Sequence, residues 1–233
     1  MHHHTSTLTD KDVLCHARSC LRRHLPLQAD GSVCSTDDLL HVLLCVAVNR
    51  TTIEAACADL LATPDPETIR RYLNSQLRVE DLPALQEHLN AALADAIPAH
   101  VWAKARDVAI DFHDRPYYGK SSQEEGLWVR SQAKDGTTHF YRVATAYLML
   151  KDVRITLALR FVVPEDGTVA VLDHLLERLK TLKVRLKRLF LDKGFSGTAV
   201  LRYLTGRQQA ALIACPLRGK KAGTRGLCQG KSS

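Results

Sequence analysis

The chain has 233 residues, 45% of them hydrophobic and 24% charged, which suits one large domain or two smaller ones and argues against wholesale disorder. No apolar run approaches about eighteen residues, and no basic segment followed by an apolar one opens the chain, so we predict neither a membrane span nor a secretory signal. The net charge is +7, and it is unevenly distributed: residues 1–100 carry 8 basic and 13 acidic side chains, whereas residues 193–233 carry 8 basic and no acidic ones. This pattern indicates a polyanionic partner, most simply nucleic acid, with a solvated basic tail as the alternative.

Seven cysteines are spread along the chain without a Cys-x-x-Cys pair. An odd number of cysteines with no secretory signal predicts reduced thiols in the cytoplasm rather than a disulfide framework. Cys15, Cys20 and His24 can approach one another on a helix. A structural zinc site normally has four ligands at tighter spacing, however, so a metal site there is the less favoured of the two interpretations.

Helix signals dominate the first hundred residues. Ser35 or Thr36 can cap a helix that runs to about Val48, and apolar residues within it form a continuous inward surface. Thr51 and Glu54 have the spacing of a capping box, which predicts a second helix to about residue 61.

A third helix is predicted to begin where Asp65 precedes Pro66, since proline suits the first helical position. Its outward side chains would include Arg70, Arg71 and Asn74, which are suited to DNA contact. Two short helices joined by a tight break resemble a helix-turn-helix, with a plain helical bundle as the alternative.

The boundary between two regions is predicted near residues 99–106. Leucines at helical spacing predict a helix over 81–100, and Pro98 would end it. After residue 106 the apolar period changes from helical spacing to alternation. We therefore expect a helical, DNA-binding region over 1–100 and a mixed α/β region over 101–233.

The second region is predicted to contain strands and helices arranged around a central sheet. Strict alternation and β-branched residues predict the strands, and leucines at helical spacing predict the crossover helix. Residues 151–152 would form a hairpin connection, and Ser196 would cap the last helix. The predicted order is strand 108–112, loop 114–137, strands 141–150 and 153–163, helix 169–182, strand 188–192, helix 196–206 and strand 210–215.

Two acids, Asp111 and Asp192, each follow an apolar strand. The carboxyl ends of neighbouring strands converge on one crevice, so these side chains can meet there. Two adjacent carboxylates repel each other unless a proton or a divalent cation neutralises them. Taken singly, each acid more commonly caps a turn. Asp114 competes for the first position, but it is expected to lie outside the strand.

Two blocks of sequence carry a resemblance to a known family. Residues 108–120 and the segment Asp192-Lys193-Gly194-Phe195 resemble two blocks of the insertion-sequence DDE transposases, the second matching an Asp-x-Gly-Tyr/Phe signature. The resemblance implies a ribonuclease H-like catalytic domain and Mg²⁺-dependent cleavage at transposon ends. Attack of a 3′-hydroxyl on target DNA would follow. It also implies that Asp111 and Asp192 are the first two metal-binding acids of a two-metal site.

The third acid of the family would lie on a helix after the strand at 210–215. No Asp or Glu occurs from Lys193 to Ser233. We therefore expect a C-terminally truncated copy whose catalytic domain is incomplete and whose activity is weak or absent.

Further DNA contacts are predicted around the two acids, from Arg115, Tyr118 and Lys120 after the first and from Lys193 beside the second. A turn packed by tyrosines is the structural alternative. The expected partner is double-stranded DNA, both transposon ends and target, with a homo-oligomer allowed, no membrane, and a nucleoid-associated location.

Two other functions remain open. One is a catalytically inactive DNA-binding protein that occupies transposon ends or inhibits the full-length transposase. The other is a helix-turn-helix regulator fused to a sensing domain.

Overall fold

A computed structural model describes residues 8–95, 97, 101, 104–120, 126–151 and 153–216. The chain divides into two compact units, Met1–Ala96 and Ile97–Ser233, which we call the helical unit and the sheet unit. The predicted helix stop at Pro98, residue 152 of the predicted hairpin and the basic segment after residue 216 lie outside the described residues.

Over residues 8–95 the helical unit contains five α-helices and one short 3-10 turn, Val79–Asp81, that leads into the fifth helix. Its buried core draws on α2, α3 and α4, and Leu39, Leu40, Val42, Ala56 and Ile69 are completely buried. In chain order the helices are α1 (Asp10–His24), α2 (Thr36–Asn49), α3 (Ile53–Asp59), α4 (Pro66–Gln76) and α5 (Leu82–Asp95).

Side-chain caps set where these helices begin. Ser35 accepts a hydrogen bond from the Asp38 amide while Asp38 accepts from the Ser35 amide, a capping box that confirms one of the two predicted caps of α2. The capping box predicted at Thr51 is wrong. Thr52 caps α3 by accepting from Ala55, so Glu54 falls one position earlier in the helix and its carboxylate is free to pair with α4.

The face that α5 buries differs from the leucine stripe expected over 81–100. Gln86 and Asn90 are buried, whereas Leu85 and Leu89 are only half-buried. Spacing alone predicts that an apolar face exists but not how deeply it is covered, because burial depends on what packs against it.

The sheet unit is built on a six-stranded mixed sheet. The strands run β2-β3-β1-β5-β6, and β4 pairs with β3. β3 is antiparallel to each of β1, β2 and β4, while β5 pairs in the parallel direction with β1 and β6 does so with β5. The elements are β1 (Arg106–Pro116), β2 (Val129–Lys134), β3 (Thr137–Met149), β4 (Arg154–Val162), α6 (Thr168–Thr181), β5 (Leu186–Leu191), α7 (Thr198–Gly206) and β6 (Ala211–Ile213).

The fold class is therefore confirmed: a helical region followed by an α/β region with a mixed sheet and helical crossovers, the arrangement that a ribonuclease H-like resemblance predicts. One sheet face forms the core. Val108, Ile110, Ala144, Ala146 and Leu148 are nearly or completely buried there, together with the apolar side of α6. Among the described residues no single helix is long and apolar enough to cross a membrane, and only α2 and α3 jointly pass such a test, across a 106° bend.

Three local expectations for the sheet unit are wrong. β1 continues to Pro116 because its antiparallel partner β3 is longer than expected and pairs with it along that whole stretch. β2 lies inside the predicted loop and pairs with the start of β3. Ser196 does not cap α7: Gly197 precedes that helix, and the Ser196 hydroxyl donates to the Lys193 carbonyl.

Candidate metal centre

Asp111 and Asp192 stand side by side on neighbouring parallel strands. Ile110 of β1 pairs with Leu191 of β5, and each of these residues is followed directly by one of the two acids. Both acids line one cleft of about 390 Å³. The two acids come directly after this pairing because the strands run in the same direction and β5 ends at Leu191, whereas β1 continues to Pro116.

The two carboxylates interact electrostatically, since the charge of Asp111 acts on Asp192. Ile110 and Leu191 face the core, with exposed fractions of 1% and 4%. Asp111, the next residue of β1, therefore faces the other side of the sheet, whereas Asp192 comes after the last residue of β5. An ion pair four residues earlier supports this register: Arg188 contacts Asp107 at 2.8 Å on that side of the sheet.

Asp192 occupies an electrostatically unfavourable position. Burial raises the pKa of its carboxyl, and the nearby charge of Asp111 raises it further. The Gly194 amide, which donates to Asp192 Oδ1 at 2.9 Å, opposes this rise, as do the charges of Lys193 and Arg142. A half-buried carboxylate beside a second one suits a divalent cation, and two carboxylate oxygens are the donors that Mg²⁺ prefers.

The turn after Asp192 explains why glycine and phenylalanine follow it. A Cβ at Gly194 would lie 3.0 Å from Asp192 Oδ1 and 3.3 Å from the Phe112 ring, so a larger residue would push the carboxylate aside. Phe195 is completely buried and stacks on Phe112 with ring centroids 4.5 Å apart. The Asp-x-Gly-Phe sequence is thus a short 3-10 turn that fastens the carboxylate to the core.

Asp114 is excluded from the pair for a different reason than expected. It lies within β1, three residues after Asp111 and therefore on the opposite face. Both of its oxygens accept from Arg142, at 2.6 and 2.8 Å, so its charge is already neutralised.

No third ligand joins Asp111 and Asp192 among the described residues. Other acids of the sheet unit are held by arginines: Asp107 by Arg188, Asp166 by Arg160, and both Asp173 and Glu177 by Arg207.

The DNA contacts predicted near the acids fall at accessible positions. Arg115, Lys120 and Lys193 are exposed. Tyr118 is 70% exposed, and its hydroxyl donates to the Asp135 carbonyl at 2.8 Å, which ties the segment after β1 to the β2–β3 turn. This bond gives the tyrosine a structural role while leaving its ring open to solvent.

In the helical unit, Arg70, Arg71 and Asn74 differ in whether their side chains are free to contact DNA. Arg70 pairs with Glu54 of α3 and with Glu67, so its guanidinium holds the two helices together. Arg71 and Asn74, three residues apart on α4, are exposed on one side of that helix.

Sequence reasoning missed Arg142. Its guanidinium lies 5.3 Å from the centroid of the Phe112 ring, and its charge acts on Asp192. Only the pairing of β1 with β3 brings it there, since no local pattern sets this arginine apart from the others.

Comparison with known proteins establishes no family for the chain. No protein-family profile matches it. It is 27% identical over 143 residues to a neutral protease 2 homolog of Trichophyton verrucosum (strain HKI 0517), a match that covers 52% of this chain and 38% of that protein. The His-Glu-x-x-His pattern of many zinc proteases does not occur in the present sequence.

Two solved transposase complexes are similar in structure at low identity. One is the piggyBac transposase synaptic complex with hairpin DNA, with a TM-score of 0.44, 12% identity, and coverage of 98% of this chain and 46% of that one. The other is the Drosophila P element transposase strand transfer complex, with a TM-score of 0.40, 12% identity, and coverage of 84% and 40%. The chain spans less than half of each of these proteins, and its function must be argued from its own site.

Proposed function

We propose that this chain is a DDE-type DNA transposase, or part of one, in which Asp111 and Asp192 hold Mg²⁺ for phosphoryl transfer on DNA. The observation that supports the proposal is the register of β1 and β5, in which the residues directly before the two acids, Ile110 and Leu191, pair with each other. The Asp-x-Gly-Phe turn after β5 gives the second carboxylate its fixed position. Double-stranded DNA is the proposed partner and the cytoplasm the proposed location.

Each side chain near the cleft has a proposed role. Asp111 and Asp192 would hold the divalent cation through their carboxylate oxygens, and the cation would supply Lewis-acid stabilisation of the charge that develops in phosphoryl transfer. Lys193, exposed beside Asp192, is placed to contact a DNA phosphate. Arg142 stays engaged with Asp114 and lowers the cost of the buried charge at Asp192.

Residues 193–233 contain no Asp or Glu, so this stretch offers the cation no third carboxylate. Two carboxylates can bind one cation, but holding two cations in register normally takes more ligands. We therefore expect slow cleavage, more readily detected with Mn²⁺ than with Mg²⁺, since Mn²⁺ binds such sites more tightly.

A plasmid-nicking assay tests the proposal. The purified chain is expected to nick supercoiled DNA slowly in Mn²⁺, and Asp111→Asn or Asp192→Asn should reduce the rate at least about 100-fold, because each removes a metal ligand. Asp135→Asn is the matched control: it removes the same charge in the β2–β3 turn, where the backbone φ of 52° suits asparagine. Nicking that persists in both site variants would refute the assignment.

The α3–α4 pair is proposed to bind DNA through the exposed side of α4. Arg71→Ala should weaken binding to a duplex several-fold and lower the salt dependence by about one counterion. Arg70→Ala should leave DNA affinity nearly unchanged, because Arg70 is occupied by Glu54 and Glu67. Gel shifts across a salt series measure both, and equal losses in the two variants would contradict this placement.

The alternative function is DNA binding without catalysis. It is supported by the finding that no third ligand joins Asp111 and Asp192 among the described residues. It predicts gel shifts that Asp111→Ala leaves unchanged, without metal-dependent cleavage. The nicking and binding assays together separate the two functions.

A further inference from the structure

Three metal-ligating side chains meet at the junction of α1 and α5 in the helical unit. Cys20 and His24 lie one helical turn apart on α1, and Asp95 is the last residue of α5. Their ligand atoms all lie within 4.8 Å of one another. His24 Nε2 is 3.0 Å from Asp95 Oδ2, and Cys20 Sγ approaches the Ala92 carbonyl at 3.6 Å. The cluster thus joins the first and last helices of the unit.

The donor set and its dimensions suit zinc. A thiolate, an imidazole and a carboxylate are its usual protein ligands, with Zn–S of about 2.3 Å and Zn–N or Zn–O of about 2.0–2.2 Å. Ligand atoms around a tetrahedral ion of that size are about 3.3–3.7 Å apart. Small rotations of side chains already within 4.8 Å of one another satisfy this spacing.

From this arrangement we propose that Cys20, His24 and Asp95 form a zinc site that fastens α1 to α5. The fourth position would be taken by water or by His16, which lies one turn before Cys20 on the same side of α1. This site is separate from the carboxylate pair of the sheet unit and independent of the function proposed for it. Mg²⁺ does not compete for a ligand set that includes sulfur.

The surroundings of the cluster agree with a ligand role for Cys20 rather than a nucleophilic one. The residue is 8% exposed, and its thiol donates to the Ala92 carbonyl inside the helical unit rather than facing an open surface. Without a metal, Arg23 and His24 share the Asp95 carboxylate at 2.9 and 3.0 Å. Bound zinc would replace the contact between His24 and Asp95, and both side chains would then be ligands of the ion.

Cobalt titration tests the proposal directly. The full chain, stripped with a chelator, is titrated with Co²⁺, which reports a cysteine ligand through a thiolate-to-metal charge-transfer band. We expect one equivalent with that band, displacement of Co²⁺ by Zn²⁺, and a higher melting temperature with zinc bound.

Variants assign the signal to residues. Cys20→Ser should abolish the charge-transfer band, and Asp95→Asn should weaken binding at least about tenfold while keeping the fold, because it is an exposed isosteric change. Cys15→Ala is the matched control, since Cys15 is exposed on the same helix and outside the cluster.

The three histidines at positions 2–4 need a control of their own because they can also bind Co²⁺. A variant with all three replaced by alanine should keep the charge-transfer band. A band that persists in Cys20→Ser, or that disappears in Cys15→Ala or in the triple-alanine variant, would overturn the proposal.

Discussion

Asp192→Asn is expected to stabilise the metal-free sheet unit and, in the same molecule, to abolish its binding of Mn²⁺. Burial and Asp111 raise the pKa of the Asp192 carboxyl, so the folded chain binds this proton more tightly than the unfolded chain does. The contribution of this carboxyl to the free energy of unfolding therefore falls as the pH rises from its ordinary pKa of 3.8 through its raised pKa. At higher pH the contribution stays low. Asparagine removes the charge and keeps an oxygen for the Gly194 amide.

Fluorescence-detected melting is the measurement, because Trp128 lies in the sheet unit and residues 1–96 contain no tryptophan. At pH 7 without metal, Asp192→Asn should melt above the unmodified chain, and the two should converge as the pH is lowered. Mn²⁺ should raise the melting temperature of the unmodified chain and leave that of Asp192→Asn unchanged.

The Asp135→Asn control should melt as the unmodified chain does and respond to Mn²⁺ in the same way. Two outcomes would show that the two carboxylates are not the coupled pair described above. Without metal, Asp192→Asn would melt below the unmodified chain, or Mn²⁺ would still raise the melting temperature of Asp192→Asn.

Phe195→Ala is expected to cost the sheet unit about 3–5 kcal/mol, the range for removing a fully buried phenylalanine. Phe195 is completely buried and stacks on Phe112, so its removal leaves a cavity beside the turn that carries Asp192. Because the Phe195 amide donates to the Asp192 carbonyl at 3.1 Å, the loss of packing should also loosen the carboxylate and weaken Mn²⁺ binding several-fold.

Urea unfolding followed by tryptophan fluorescence measures the change. Phe195→Leu preserves most of the buried volume and should lose less than about 1.5 kcal/mol. Phe190→Ala removes a ring of the same size from the neighbouring strand, where it is only half-buried, and should cost clearly less than Phe195→Ala. Equal losses at positions 190 and 195 would refute the central role of the Phe112–Phe195 stack.

The candidate pair itself could be identified from the sequence because its signal is local. Apolar runs followed by an acid predict Asp111 and Asp192, and the parallel strand direction follows from the crossover helix between them. The same reasoning failed for Asp114. Whether it lies inside a strand depends on the length of β3, which is a distant segment, and its pairing with Arg142 depends on the β1–β3 register.

What the sequence by itself determined is the set of elements: the helical first hundred residues, the mixed α/β remainder, and the two acids that follow short apolar runs. Propensity, capping and periodicity act within a few residues, so these features could be read without coordinates. The tertiary structure alone decided the rest. It set the length of β1 and paired Arg70 with Glu54. It also brought Cys20 and His24 close to Asp95, although His24 and Asp95 are 71 residues apart along the chain. Contacts of that kind depend on which faces meet after folding, and local patterns carry no information about them.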